Sequence, residues 1–251
     1  EFFFNQNLDF VLGKRECAFL NAAQNDSFLA DVVPEYLGQE TLDGKTWIVM
    51  ENICAGFSKP CLMDLKIGTQ TWGSNATPEK IASQQAKAER TTTKRLGVRI
   101  TAGAVRPYWG AQLVEVGYKK GQEKATEDQF QNTLYQYLFN KTLRDQCLEE
   151  ITHFLAWFEV QTQYQFRGCS LLLAYDADLE NPDELRVALI DFAHVDRHQG
   201  QRDESFLVGL HTMKKALSAW KPPKAQQVPR GVTNGNGSRP QDIQLAYRGN
   251  K

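Results

Sequence analysis

No stretch of about eighteen uninterrupted apolar residues occurs in the chain, so no membrane-spanning helix is expected. Metal-type cysteine spacing is lacking too: no Cys-x-x-Cys pair and no Cys/His group with zinc spacing is present. The five cysteines (Cys17, Cys54, Cys61, Cys147, Cys169) are odd in number and scattered, and they read as buried free thiols in a reducing compartment. Charge of one sign is also lacking. With 29 basic against 30 acidic side chains the net charge is −1, which argues against a protein that coats nucleic acid. The start, Glu1-Phe2-Phe3-Phe4-Asn5, has no Met, no basic n-region and no cleavage site, so it reads as a start partway into a gene product rather than a signal peptide. No internal repeat is found. What is there is ordinary globular material: 251 residues, 41% apolar and 24% charged, enough for one large domain or two packed lobes.

Composition changes after Trp220. Residues 221–251 hold four prolines, four glycines and six basic residues against one acid, Asp242, so the tail is expected to be disordered. Removing its +5 leaves −6 on residues 1–220. Within those, Lys45–Met50 reads as a strand after Asp43-Gly44, and Cys61–Ile67 as a second, introduced by Pro60 and stopped by Gly68. Thr77 followed by Pro78 opens a helix to about Glu89. Thr126-Glu127-Asp128-Gln129 is a capping box ahead of Phe130, Leu134, Tyr137 and Leu138. Leu143, Cys147, Ile151, Phe154, Leu155 and Phe158 follow at helical spacing. Two apolar runs, Ser170–Tyr175 and Leu185–Phe192, flank a turn-rich loop and should pair antiparallel; a last helix runs from about Asp203. Strands, then helices, then a hairpin and a helix make the class α+β.

Polar residues interrupt two of these strands. Asp64 and Lys66 are two apart and project from one face, leaving Leu65 and Ile67 for the core face. Asp191 ends the run Val187-Ala188-Leu189-Ile190, where a carboxylate is either satisfied by backbone donors or binds something positive. By themselves these fit a structural ion pair and a turn starter equally well.

The surrounding wording is more specific. Pro60-Cys61-Leu62-Met63-Asp64-Leu65-Lys66-Ile67-Gly68 resembles the P-x-x-x-D-x-K-x-G element of the inositol polyphosphate kinase family. Cys169-Ser170-Leu171-Leu172 is similar to its S-S-L-L element, Ile190-Asp191-Phe192 to its I-D-F element, and Leu96-Gly97-Val98-Arg99 to its L-G-x-R strand. The order agrees, and the resemblance covers roughly residues 30–215.

That resemblance implies a two-lobed fold related to protein kinases, with ATP in the inter-lobe cleft and residues 1–53 as N-terminal lobe and hinge, 54–220 as C-terminal lobe. It implies transfer of the γ-phosphoryl group of ATP to a soluble inositol polyphosphate, a reaction that needs positioning and charge neutralisation. Asp191 matches the residue that holds Mg²⁺ (or Mn²⁺) against the ATP phosphates. Met50-Glu51-Asn52-Ile53 resembles the hinge, where the Glu51 carbonyl and Ile53 amide would meet adenine. Asp64 matches a residue beside the ribose and the acceptor, with a general-base role in reach. Lys66 matches a lysine on the acceptor and the transferring group, and His194 a further substrate contact.

Lys80, Gln84 and Lys87 lie at i, i+4 and i+7 on the helix of residues 77–89, a face that would otherwise be called solvated surface. There the chain resembles the multikinase pattern E-K-I-x-x-Q-x-x-K that grips substrate phosphates, with Ser83 departing from it. Arg90, Lys94, Arg95 and Arg99 extend the basic character. One element departs from the family. A lysine is expected on an early strand, a few residues before the Arg15-Glu16 that opens the first helix, and Phe2–Leu12 contains none. Lost residues near the start, substitution by Lys14 after a local shift, and weakened activity are the three explanations, and the first is preferred.

The multikinase type is favoured over the inositol hexakisphosphate kinase type, although Gly73-Ser74-Asn75-Ala76 looks at least as much like the latter. The different-class alternative is a catalytically weak inositol phosphate-binding scaffold. A protein kinase is disfavoured by the absence of H-R-D, D-F-G and G-x-G-x-x-G elements. A monomer without a direct nucleic-acid site or membrane association, cytoplasmic or nuclear, is expected.

Overall fold

The computed structural model describes residues 2–5, 10–42, 44–106, 112–117, 125–197 and 200–221. The expected disordered tail, beyond Lys221, lies outside the described residues. In chain order the elements are β1 (Phe2–Asn5), α1 (Phe10–Ala23), α2 (Leu29–Val32), β2 (Tyr36–Leu42), β3 (Lys45–Glu51), β4 (Pro60–Ile67), α3 (Pro78–Arg90), α4 (Thr93–Leu96), β5 (Val98–Val105) and β6 (Val114–Val116). There follow α5 (Glu127–Tyr137), α6 (Lys141–Phe158), β7 (Tyr164–Phe166), β8 (Ser170–Asp176), β9 (Arg186–Ile190), β10 (Val195–Arg197) and α7 (Glu204–Ser218).

Among the described residues three sheets form, all antiparallel. The first runs β1-β3-β2, the second β6-β5-β4-β8-β9, and β10 pairs with β7. In the five-stranded sheet Leu65, Leu171 and Leu189 stand opposite one another across β4, β8 and β9, all fully buried. The period-two alternation then puts Lys66 and Asp64 on the other face. The apolar face is covered by helices: Tyr137 at the end of α5 donates to the Cys61 carbonyl on β4 at 2.9 Å, and Tyr135 to Ala216 on α7 at 2.9 Å. On α6 the whole expected stripe is buried, and Phe158 stacks on Phe206 of α7 at 4.3 Å. Burial of such side chains, roughly 1.5–3 kcal/mol each, makes this layer the rigid floor on which the polar face is mounted.

The helix caps form as read. The Thr77 hydroxyl accepts from Lys80 N, and Thr126 with Gln129 completes the capping box. Two boundaries differ from expectation. The helix α1 begins at Phe10, so Arg15-Glu16 sits in its second turn rather than opening it; residues 10–14 contain no proline, and Gly13 costs only about 1 kcal/mol in a helix interior. And β9 stops at Ile190, not Phe192, because Asp191 adopts φ 70°, the only positive φ among the described non-glycine residues. That left-handed conformation turns the chain out of the sheet. No helix among the described residues is long and apolar enough to cross a membrane.

Candidate functional site

The polar face of the large sheet carries its chemistry where β4, β8 and β9 end together. Lys66 stands opposite Ser170, and Ser170 opposite Ile190, so the Lys66 side chain reaches the residue just past β9. Its Nζ donates to Asp191 Oδ2 at 3.0 Å and to the Gly168 carbonyl. Gly168 is itself held: its neighbour Arg167 pairs at 2.9 Å with the fully buried Asp203, which also caps α7. Asp64, two residues before Lys66, is 5% exposed, and its carbonyl accepts from Thr101 Oγ1 where β5 bulges against β4. A left-handed, non-glycine aspartate held by a lysine is the kind of strained polar arrangement that marks functional sites.

The α1 helix grips the same segment with two consecutive side chains. Glu16, 1% exposed, accepts from the Phe192 amide at 3.2 Å. Arg15 donates to the Val195 carbonyl at 3.0 Å and to Asp196 Oδ1 at 2.7 Å, and Asp196 in turn accepts from Ser74 N and Oγ. Burial first, then the negative charge of Asp191, pushes the Glu16 carboxyl up to about 7. Neither Arg15 nor Glu16 was read as a site residue. Only the Arg-Glu pair itself could have pointed to them.

The basic face of α3 lies beside this. Lys80, Gln84 and Lys87 share one side of α3, with Lys80 exposed and the other two half-buried. Gln84 Oε1 accepts from the buried Thr71 hydroxyl at 3.2 Å. Lys87 is pushed down to about 8, by burial first and then by the positive charges of Arg99, Lys66 and Lys80. The His194 ring is lowered by burial and then by Arg15, Lys80 and Lys66, and its Nδ1 is buried without a hydrogen-bond partner. Burial, with the repulsion of these cations added to it, thus depresses two titratable members of the group. Such a concentration suits a ligand carrying several negative charges. The basic run after α3 divides. Arg99 is 4% exposed and joins the cluster, whereas Lys94 pairs with Glu89 and Arg95 donates to the Ala125 carbonyl, both at the exposed surface. A short charge run says nothing of direction, and Glu89 on the preceding turn takes Lys94 away.

At the opposite end of β9 lies the segment after β3. Glu51 closes β3, its amide on the Glu35 carbonyl at 2.9 Å, and Asn52–Phe57 continues as turns: Ala55 N donates to the Asn52 carbonyl and Phe57 N to the Cys54 carbonyl. The Ile53 carbonyl accepts from Arg186 at 2.9 Å. Lys14 is exposed on α1, while the adjoining Arg15 and Glu16 turn inward.

Among the described residues no three His, Cys, Asp or Glu side chains could by themselves hold a metal ion. The residues nevertheless fit a hard divalent cation that brings phosphate oxygens with it, since such ions take one or two carboxylates from the protein and the rest from water and substrate. Asp191 is one third exposed at its side chain, and Glu16 feels its charge while keeping Oε2 without a hydrogen-bond partner. A cation there would relieve the repulsion that raises Glu16.

Known proteins resemble this chain over most of its length. A family model described as inositol polyphosphate kinase matches residues 47–218. Inositol polyphosphate multikinase alpha of Arabidopsis thaliana is 31% identical over 207 residues, 70% of this chain and 71% of that protein. Inositol hexakisphosphate kinase 1 of Mus musculus is 34% identical over 159 residues, but the match spans only 36% of its length and 61% of this chain. The crystal structure of the Saccharomyces cerevisiae inositol phosphate multikinase in complex with ADP and Mn²⁺ superposes with a TM-score of 0.72 at 22% identity, covering 87% of this chain and 98% of that one. A second multikinase structure gives 0.69 at 27% identity over 81% of this chain. The fold is thus that of the kinase-related α+β class expected from the sequence, and the chain belongs to the inositol polyphosphate kinase family.

Proposed function

We propose that this chain is an ATP-dependent kinase that transfers the γ-phosphoryl group to a hydroxyl of an inositol polyphosphate, acting as a multikinase rather than as a pyrophosphate-forming hexakisphosphate kinase. The observation that carries the reaction is Lys66, which joins Asp191 at 3.0 Å on one side and the Lys80, Lys87, Arg99 and His194 cluster on the other. The multikinase type is supported by the Lys80-Gln84-Lys87 face of α3 and by the longer span shared with the plant multikinase.

In this reading the Glu51 carbonyl and Ile53 amide orient adenine, and Asp64 lies beside the ribose and acceptor. Asp191, with Glu16 within electrostatic reach, would hold Mg²⁺ or Mn²⁺, whose chemistry is to neutralise phosphate charge. Lys66 has three N–H donors. Without ligand two are used on Asp191 and Gly168, which leaves the third for the transferring group. As the acceptor oxygen bonds to the γ-phosphorus, the bond to the bridging oxygen of ADP breaks, and Asp64 would take the hydroxyl proton. Lys80, Lys87 and His194 fix the acceptor's other phosphates.

The test is turnover of γ-labelled ATP with inositol tris-, tetrakis-, pentakis- and hexakisphosphates, followed by chromatography of the products. Label in acid-stable monoesters on the lower phosphates supports the multikinase reading; label only on the hexakisphosphate replaces it with pyrophosphate formation. The absence of lysine from Phe2–Leu12 favours a second reading, a weakly catalytic scaffold. It predicts inositol phosphate binding with no magnesium-linked ATP affinity.

A further inference from the structure

Arg186 opens β9 opposite Ala174, and its side chain reaches across to the turns that follow β3. One Nη1 donates to the Ile53 carbonyl at 2.9 Å and to the Ala55 carbonyl at 2.7 Å. The guanidinium lies 4.1 Å from the centroid of the Phe57 ring, and Nε is oriented by Glu184 at 2.7 Å. The turns it holds include Gly56 at φ 85°, and the segment re-enters the sheet where Ser58 N and Lys59 N donate to the Asp176 carboxylate. A planar guanidinium that bonds two carbonyls through Nη1, is held at Nε and stacks on a ring fixes orientation in a way a point charge cannot.

The other end of β9 is Ile190, followed by Asp191. Five residues of strand, about 17 Å at the usual rise, separate the Arg186 clamp from the metal-holding carboxylate. An extended nucleoside triphosphate needs its adenine contact and its phosphate contact held at a comparable separation.

We propose that Arg186 is a positioning residue for the nucleotide: it fastens the adenine-binding turn to the same strand that presents Asp191, without touching the acceptor. This rests on the kinase reading, because it takes the Ile53 amide as an adenine contact. Loss of the guanidinium frees the Ile53–Cys54 peptide and loosens the turn that presents the neighbouring Ile53 amide, so nucleotide affinity falls while acceptor affinity and the chemical step do not.

The experiment compares wild type, Arg186→Met and Arg186→Lys by steady-state kinetics and by calorimetry with ADP plus magnesium and, separately, with inositol hexakisphosphate as an anionic probe of the acceptor site. Arg186→Met is expected to raise KM for ATP and weaken ADP roughly tenfold, the fold-change of one lost charge-assisted hydrogen bond. Its kcat and its inositol phosphate affinity should stay within about twofold. Arg186→Lys, which keeps the charge but loses the planar stack on Phe57 and the Nε contact with Glu184, is expected to fall between. Unchanged ADP affinity in Arg186→Met, or equal weakening of both ligands, overturns the proposal. Should the Met variant not fold, the Lys variant decides by the same split. A wild-type protein with no magnesium-linked ADP affinity refutes the kinase reading itself.

Discussion

Lys87 links the charge of the acceptor face to pH. It is half-buried on α3 and lowered from the ordinary lysine value of 10.5 to about 8, by burial first and then by Arg99, Lys66 and Lys80. At pH 7 about ten molecules in eleven then carry the charge, and at pH 9 about one in eleven. An isolated phosphate monoester completes its second ionisation near pH 6, and crowded ring phosphates only gain further negative charge as pH rises, so titration of the ligand does not itself weaken binding over this window. A charge-assisted hydrogen bond is worth roughly 1.5–3 kcal/mol, and losing it from most molecules should raise KM for the inositol phosphate about tenfold between pH 7 and 9. The assay is initial rate against inositol phosphate at saturating Mg-ATP and constant ionic strength. Lys87→Arg, which keeps its charge throughout, should flatten the profile. An equally steep rise in that variant would refute the assignment, as would a flat wild-type profile. Stability carries the opposite sign. Between pH 8 and 10.5 the unfolded chain binds more protons at this lysine than the folded one, so stability rises with pH through that window. Below 8 the buried charge weighs fully against folding. Lys87→Met should therefore raise the Tm of the ligand-free protein at pH 7 while weakening acceptor binding.

Three further outcomes are expected. Asp191→Asn keeps a residue that tolerates φ 70° but loses the charge, so kcat should fall roughly a thousandfold with Tm within a few degrees; unchanged kcat would exclude Asp191 as the metal residue. Arg15→Met removes the brace on Val195 and Asp196 and should raise KM for the inositol phosphate about fivefold, leaving KM for ATP unchanged in the same assay. Gly209→Ala would drive a methyl into the Gly97 carbonyl where α7 crosses the turn after α4; a loss of about 3 kcal/mol, or about 10 °C in Tm by thermal melting, is expected with the specific activity of the folded fraction unchanged.

Local chemistry was readable from the sequence wherever it acts over a few residues. Thr77-Pro78 and Thr126 with Gln129 start α3 and α5 as their side chains require, and the stripe from Leu143 to Phe158 is buried along α6. The alternation in β4 sends Leu65 and Ile67 to the core and leaves Asp64 and Lys66 on the other face. Contacts spanning much of the chain were not readable. Arg15 meets Asp196 across 181 positions and Arg186 meets Ile53 across 133, and neither pair has a periodic or spaced signature. The crossing of Gly97 and Gly209 is equally silent, since two glycines far apart in sequence do not announce that their backbones touch. Sequence density of charge also misled at Lys94 and Arg95. Direction, not number, decides which cations line a cleft.

The same consideration bears on the lysine that the family pattern leads one to expect near the start. Its usual work is to bring a positive charge to the nucleotide phosphates from the N-terminal side. Here α1 reaches the site through Arg15 and Glu16, and both hold backbone of residues 192–196 rather than presenting a charge outward. The cation nearest Asp191 is Lys66, supplied from β4, and it both pairs with Asp191 and lowers Glu16 against the upward push of burial. Carboxylates thus gather around Asp191 and cations along α3, with Lys66 at the seam. In the kinase reading, a metal held at Asp191 with its nucleotide would supply the positive charge that Lys66 provides in its absence, and would leave the Lys66 N–H groups to the group in transfer. Coupling of the two substrates would follow from that exchange: nucleotide binding would release a cation toward the acceptor, and the acceptor's phosphates would draw the same cation away from Asp191.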